Sequence, residues 1–202
     1  MGGEGHWPPL SFARACTHVF VSECDFTVPQ NVLPSSLFEL ANDQSFTASV
    51  SSVDQSTEPH HSRLNSDNGW IPSNTDGDDL WLQVDLGVPQ FIAMIELSPP
   101  GSTAEEYVTK ALAYCSLDGL DFYPFMNYKT GKKQVFRGSS EVKKHKTWLH
   151  LCRFVRIVPK KWVGRPALRW NVMQCPCKLS FGYTTQERSQ REGAQTFNSN
   201  FG

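Results

Sequence analysis

The sequence has no apolar run approaching the ~20 residues that a membrane-spanning helix needs. It also has little net charge, since 19 Lys and Arg residues face 20 Asp and Glu residues and leave a charge of -1. A nearly neutral chain lacks the excess of positive charge that is typical of nucleic-acid binding. The first 16 residues lack the basic-then-apolar layout of a secretory signal. We therefore expect either a fragment of a longer chain or an export signal encoded elsewhere.

Signatures of catalysis are also scarce. Carboxylates are available at 76–79 and at 105–106, but a solvated loop does not shift a pKa as a buried active site does. Ser62, His60 and Asp54 could be drawn as a triad, yet no nucleophile elbow accompanies them. No glycine-rich phosphate loop precedes a helix. The sequence therefore predicts that the chain is not an enzyme, and it predicts no cofactor or metal site, with calcium in a loop left open.

No internal repeat is visible, which argues against a solenoid or a propeller. In WLQVDLG (81–87), apolar and polar residues alternate with the period of a strand that has one face against a core. Similar short segments, separated by Gly, Pro, Asn and Asp clusters, have the spacing of an antiparallel sandwich. The predicted strands are 46–52, 81–86, 91–97, 108–115, 122–125, 134–137, 147–151, 154–158 and 168–173. We also expect a short helical turn at 36–41 and a hairpin turn at Asp118-Gly119.

Several motifs in order give the chain a family resemblance. WLQVDLG stands with ASVSS (48–52), SRLNSDNGW (62–70), LDG (117–119), RFVRIVP (153–159) and ALRWNVMQC (167–175). Together they resemble the discoidin family, also called the coagulation-factor type C domain. The resemblance implies an all-β fold, a discoidin-like jelly-roll β-sandwich (galactose-binding-domain-like) with about eight main strands. It covers about 24–175, so we expect a leader or linker over 1–23 and a disordered tail or linker over 176–202.

The chain departs from the family pattern at several positions. Asn171 replaces the glutamate of the LR-x-E motif, Gln174 replaces a glycine, and LSPPG (97–101) replaces a TQGR segment. Inward positions that are usually large carry Ala111, Ala113 and Cys115, and Trp148 and Trp170 are candidates to fill the volume left there. These differences indicate a divergent member, onto which no relative's ligand can be copied.

Six cysteines allow fifteen complete pairings. The resemblance implies a bond between Cys24 and Cys175, which would close nearly the whole domain and require an oxidising compartment. Cys115 and Cys152 lie in predicted strands, where they either bridge those strands or remain two buried thiols. Cys16 and Cys177 are left as an outer pair. A zinc site is disfavoured because the C-x-H and C-P-C spacings are not those of structural zinc modules.

The resemblance places ligand recognition in the loops 53–63 and 99–107. Lipid-binding members carry bulky apolar tips, whereas this chain has DQSTEPHH (54–61) and GSTAEE (101–106), whose acidic residues an anionic membrane would repel. We therefore favour a glycan or a protein as ligand over a phospholipid. The candidate ligand-binding residues are Asp54, Gln55, His60, His61, Arg63, Trp70, Ser102, Thr103 and Glu105.

Three of these candidates have an alternative role, and a further residue is structural. His60 and His61 suit polar or metal contacts, but they could also be ordinary exposed loop residues. Trp70 either stacks on a ligand or packs beneath the loops. Asp85 matches a polar position of the family, and we expect it to form a partly buried ion pair with Arg63 or Arg169 that ties the loops to the sheet.

These observations predict a non-catalytic extracellular binding module that mediates cell adhesion or matrix contact. Its partner would be a cell-surface or matrix glycan or protein, without nucleic acid and without membrane insertion. One alternative is a targeting module of a longer extracellular enzyme. Another is an anionic-phospholipid-docking domain that uses Lys160, Lys161 and Trp162. The basic clusters at 143–146 and 160–165 are either solvated loops or contacts for an acidic glycan or anionic lipid.

Overall fold

Nine β-strands and three short 3-10 helices make up the described part of the chain in a computed structural model, which describes residues 36–39, 41–75, 80–101, 105–127 and 129–174. The strands are β1 (Phe46–Ala48), β2 (Leu82–Ser98), β3 (Tyr107–Ser116), β4 (Tyr123–Pro124), β5 (Met126–Asn127), β6 (Lys132–Lys133), β7 (Val135–Arg137), β8 (Lys143–Val163) and β9 (Arg169–Gln174). The 3-10 helices are Asp43–Ser45, Gln55–Thr57 and Pro59–Ser62. Within these residues, none of the helices has the length and apolar character that a membrane crossing requires.

The strands form a seven-stranded antiparallel sheet and a separate two-stranded ribbon of β5 and β6. The sheet has the order β1-β2-β8-β3-β4, with β7 also paired to β3 and β9 also paired to β2. The first part of β2 pairs with β1 and the second part with β9, while β8 pairs along both parts. Two long strands therefore take part in both layers of the sandwich, where the sequence had predicted four short ones.

A bulge in β2 allows this change of layer. Between Asp85 and Gln90 the strand has more residues than the facing part of β8, and Gly87 within it has a φ of 76°. An extra loop of backbone in one strand bends it and increases its twist. A positive φ favours glycine, because a side chain at this position would clash with the backbone.

The core lies between the inner faces of the two layers. Ile92 to Ser98 are buried at every position, since this part of β2 is an inner strand with β8 on one side and β9 on the other. Phe136 lies opposite Ala111 and is fully buried together with Phe125, so these two rings fill the volume beside the small residues of β3. Trp170 is also in the core, edge-on to Phe38.

Trp148 is not a core residue, so the expectation that it fills this volume is wrong. Its side chain is 44% exposed on β8, next to the register shift between β2 and β8. Cys115 of β3 and Cys152 of β8 form a disulfide, which settles their two alternatives in favour of a bridge. The predicted Cys24–Cys175 bond, the pair Cys16 and Cys177, and both predicted domain boundaries lie outside the described residues.

Two local predictions have opposite outcomes. The hairpin turn at Asp118-Gly119 is present, with Gly119 at a φ of 80° and the Asp118 carboxylate accepting the backbone N–H groups of Leu120 and Asp121. Of the helical turn predicted at 36–41, the described residues show a turn at 38–39 without a helix, while residues 36 and 37 lie beside β9. There the N–H of Leu37 donates to the carbonyl of Val172.

Candidate functional site

The first predicted ligand loop, 53–63, is held in shape by its own hydrogen bonds. Asp54 caps the 3-10 helix Gln55–Thr57, and its Oδ1 accepts the backbone N–H of Ser56 at 2.8 Å. The hydrogen bond from the Ser56 side chain lowers the pKa of Asp54. The carboxylate therefore serves the loop itself, which gives the following 3-10 helix a fixed starting point.

The second 3-10 helix, Pro59–Ser62, forms one wall of an open groove of about 730 Å³. The groove is also lined by Ser36, Phe38, Glu39, Ala41 and Asp43, which form its second wall, and Leu64 to Ser66 continue the first wall. His60 and His61 both line this space, which we call the histidine groove. Its volume is within the usual range for small-molecule pockets.

The two histidine rings are in contact, with their planes tilted by 38°. Their ring centroids are 4.1 Å apart, and Nδ1 of His60 is 3.7 Å from the Glu58 carboxylate. Burial lowers the pKa of His61, and the charge of His60 lowers it further. At neutral pH His61 is therefore an uncharged imidazole, which offers one hydrogen-bond donor and one acceptor.

Arg63 holds the two walls of the groove together. Its Nη1 donates to Asp43 Oδ1 at 2.7 Å and to the carbonyl of His60 at 3.0 Å, and its Nη2 donates to the carbonyl of Ala41 at 2.8 Å. The guanidinium also lies 4.4 Å from the ring centroid of Phe46, and the side chain is only 17% exposed. Most of its donors are thus used inside the protein, so Arg63 positions the groove walls.

Trp70 packs beneath the loops. It is fully buried and pairs with Leu168 through two backbone hydrogen bonds of 3.0 and 3.1 Å. A fully buried ring cannot stack on a ligand, so the expectation of ligand contact is wrong and the packing alternative fits. Ser102 and Thr103 of the second loop lie outside the described residues.

Arg165 lies between the second predicted loop, 99–107, and the first one. The sequence analysis had placed this arginine only in a basic cluster. Arg165 forms an ion pair with Glu106 at 2.9 Å. Hydrogen bonding to Glu106, with a smaller contribution from the charge of Asp54, raises the pKa of Arg165. Glu105 is exposed beside this pair, and it does not line the histidine groove. The nine candidate residues therefore do not form a single site.

Asp85 has a different partner from the one predicted. It receives two hydrogen bonds from Arg153, at 2.9 and 3.0 Å, because the register places Asp85 opposite Phe154 of β8. The Arg153 hydrogen bond lowers the pKa of Asp85. The side chains of Arg153 and Asp85 are 41% and 30% exposed, and ion pairs this open to solvent contribute little to stability. The predicted buried pairing with Arg63 or Arg169 is wrong.

Arg169 ties the groove wall to the sheet through backbone acceptors. It donates to the carbonyls of Pro99 at 2.9 Å, Leu64 at 3.1 Å and Ser66 at 2.6 Å, and to Ser98 Oγ at 3.2 Å. One side chain of β9 therefore fixes both the wall 64–66 of the histidine groove and the end of β2.

The described residues do not assemble a catalytic centre from the triad that the sequence offered. Ser62 is fully buried, and its hydroxyl accepts the indole N–H of Trp170 at 3.1 Å. The Asp54 carboxylate is occupied by the helix cap. Over the same described ranges, no group of three or more His, Cys, Asp or Glu side chains is placed to hold a metal ion.

A family model for the F5/8 type C domain matches residues 45–172, which include β1 to β8, most of β9 with Arg169, and the groove wall around His60 and His61. The chain belongs to the F5/8 type C domain family. Human neuropilin-2 is 35% identical to it over 162 residues, which cover 71% of this chain and 16% of neuropilin-2. The chain spans only 6% to 16% of such curated relatives.

Solved structures show the same fold. Discoidin II of Dictyostelium discoideum superposes with a TM-score of 0.60 at 16% identity, covering 75% of this chain and 61% of discoidin II. A CBM32 module of Clostridium perfringens, solved in complex with GalNAc-β-1,3-galactose, has a TM-score of 0.52 at 17% identity. That match covers 68% of this chain and 99% of the module. The discoidin-like resemblance and the β-sandwich expected from it are confirmed, and this F5/8 type C domain is a member of a family of binding modules.

Proposed function

We propose that this F5/8 type C domain is a non-catalytic extracellular module that mediates cell adhesion or matrix contact by binding a glycan or a protein segment in the histidine groove. The observation that carries the proposal is the groove itself, in which two imidazoles in contact with each other share the space with a second wall that contains Ser36, Glu39 and Asp43. Such an arrangement of a few convergent polar groups in a concave surface is typical of a ligand site.

The chemistry of the groove favours hydroxyl-rich ligands. The uncharged His61 ring can donate and accept at neutral pH. Across the groove, Asp43 receives Arg63 on one oxygen while 66% of its side chain stays exposed, so the carboxylate can also accept a sugar hydroxyl. The GalNAc-β-1,3-galactose bound by the Clostridium module supports a glycan over other small ligands.

The extracellular location is supported by the Cys115–Cys152 bond, since disulfides persist in oxidising compartments. A single shallow site of this size gives weak affinity, so adhesion would depend on several modules acting together. Targeting a longer extracellular enzyme to a glycan is a second candidate function, favoured by the similarity to an isolated carbohydrate-binding module. Both functions use the same groove.

The test is a glycan-array screen followed by titration calorimetry on the hits. We expect His60→Ala/His61→Ala to lose roughly tenfold or more in affinity, since about two hydrogen bonds worth about 1 kcal/mol each are removed. The matched control is Gln55→Ala/Glu105→Ala, which changes two predicted loop residues outside the groove and is expected to bind as the parent chain does.

Three outcomes would contradict the proposal. Equal glycan profiles for the parent chain and the histidine variant would show that the groove is not the site. Loss of binding only in the Gln55/Glu105 variant would move the site to the rim around Arg165. Binding to no glycan or protein, together with co-sedimentation that rises with the anionic lipid content of vesicles, would favour phospholipid docking.

A further inference from the structure

Three cations form a straight row across neighbouring strands, away from the histidine groove. Lys110 of β3 lies opposite Arg137 of β7 on one side and opposite Lys161 of β8 on the other. The adjacent residues Phe136 and Ala111 are fully buried and point into the core. Because successive side chains in a strand alternate between faces, Lys110 and Arg137 point to the outer face of the sheet. The register shifts on both sides of Lys110 interrupt this alternation where β3 pairs with β8, and Lys161 is exposed there. We call the three cations the cationic row.

No acidic side chain among the described residues neutralises the cationic row. Like charges directly opposite each other destabilise an antiparallel pair. Two other arginines of the sheet and its loops have acidic partners, since Arg153 pairs with Asp85 and Arg165 with Glu106. In contrast, no described carboxylate pairs with a side chain of the row. The fold thus keeps three repelling charges in register on a chain whose net charge is only -1.

The rest of the outer face extends this positive surface. Beside the row lies an apolar row of Val135, Leu112 and Val158, in the same register. Beyond it is Arg156, which is held by Gln83 and lies 3.8 Å from the ring centroid of Phe122, again without a carboxylate among the described residues. The positive charge therefore belongs to a face rather than to a single loop.

We propose that the cationic row binds a linear sulfated polysaccharide. Adjacent strands are about 4.8 Å apart, so the three charges extend over roughly 10 Å, which fits a chain of repeated anionic groups better than one isolated phosphate. Arg137 can bind a sulfate through two N–H groups, and the lysines act as point charges. The disulfide supports an extracellular compartment, where polysaccharides rather than nucleic acids are the polyanions available.

A membrane surface fits the row less well. The row lies on the face of the sheet, and insertion into a bilayer needs large apolar side chains that project from a tip. The exposed apolar residues near the row are Val135, on the short strand β7, and Val163, two residues after Lys161 on β8, and both lie within strands. A polysaccharide needs only contact along the face.

The test uses immobilised heparin as the probe and surface plasmon resonance at several NaCl concentrations, with the whole 202-residue chain. The variant is Lys110→Gln/Arg137→Gln/Lys161→Gln. Its matched control, Lys129→Gln/Lys132→Gln/Lys143→Gln, removes the same charge at other positions. We expect the row variant to lose at least tenfold in affinity. The slope of log Kd against log salt should fall by about 2 to 3, since each contact with a linear polyanion releases roughly 0.7 to 0.9 of a counterion.

The melting temperature of the row variant should equal or exceed that of the parent chain, because repulsion is relieved. This result would separate a binding defect from a folding defect. Equal losses in the two triple variants, or no heparin binding by the parent chain, would overturn the proposal. If binding to anionic lipid vesicles is lost in the row variant as strongly as heparin binding is, the row would be assigned to membrane contact instead. We expect His60→Ala/His61→Ala to retain heparin binding, so the proposal for the row and the proposal for the groove can be refuted independently.

Discussion

Replacing Arg169 by methionine would keep most of the apolar stem of this side chain while removing its four hydrogen bonds to Pro99, Leu64, Ser66 and Ser98. A hydrogen bond in a protein contributes about 0.5 to 1.5 kcal/mol net, so the four would amount to roughly 4 kcal/mol. Acceptors near the surface can bind water instead. We therefore expect Arg169→Met to lower the free energy of unfolding by about 3 kcal/mol.

For a domain of this size, a loss of about 3 kcal/mol lowers the melting temperature by roughly 10 °C. Thermal denaturation followed by circular dichroism measures it directly. Arg169→Lys should recover only part of the loss, since an ammonium group cannot reach all four acceptors. The control is Arg137→Met, the same substitution at an exposed arginine, which should not lower the melting temperature. A decrease of less than about 3 °C for Arg169→Met would refute the role assigned to this side chain.

Two further predictions concern the crosslink and the titration of histidines. Removing the Cys115–Cys152 bond, which joins residues 37 apart, by substituting both cysteines with alanine should cost about 4 kcal/mol by the chain-entropy argument. Urea midpoints that do not differ between this variant and the parent chain would contradict it. Burial lowers the pKa of His150 and His61 below the ordinary 6.5, so the unfolded chain binds more protons than the folded one as the pH falls through 6.5. Stability should therefore decrease between pH 7.5 and pH 5, and His150→Gln should reduce that decrease in urea titrations at the two pH values.

The alternation of apolar residues was enough to place most strands, because one face of each strand is buried, whereas the family came from the resemblance of several ordered motifs. Leu82 and Val84 are fully buried as that pattern requires. Alternation does not tell where a strand ends when it passes from one layer to the next. The predicted segments 81–86 and 91–97 are therefore one strand, joined by a bulge whose glycine resembled a loop signal.

The sequence could not predict which side chains face each other on neighbouring strands. The register that sets Asp85 opposite Phe154, and so beside Arg153, depends on how β2 and β8 align over a separation of about seventy residues. A separate pairing, that of β3 with β7, places Phe136 opposite Ala111. Of the candidate site, His60 and His61 stood out by their chemistry. The second groove wall, which includes Asp43, could not be foreseen, because only tertiary contacts bring it there.

The path of β2 and β8 through both layers also governs how the molecule responds to a pull. The two layers cannot separate unless the hydrogen bonds between β2 and β8 break, since these continuous strands pair with each other on both sides of the bend. Tension applied by a polymer on the outside of β3 and β8 would reach β9 and the groove beside it along uninterrupted backbone. We expect an attachment module with this topology to unfold in a single step under force.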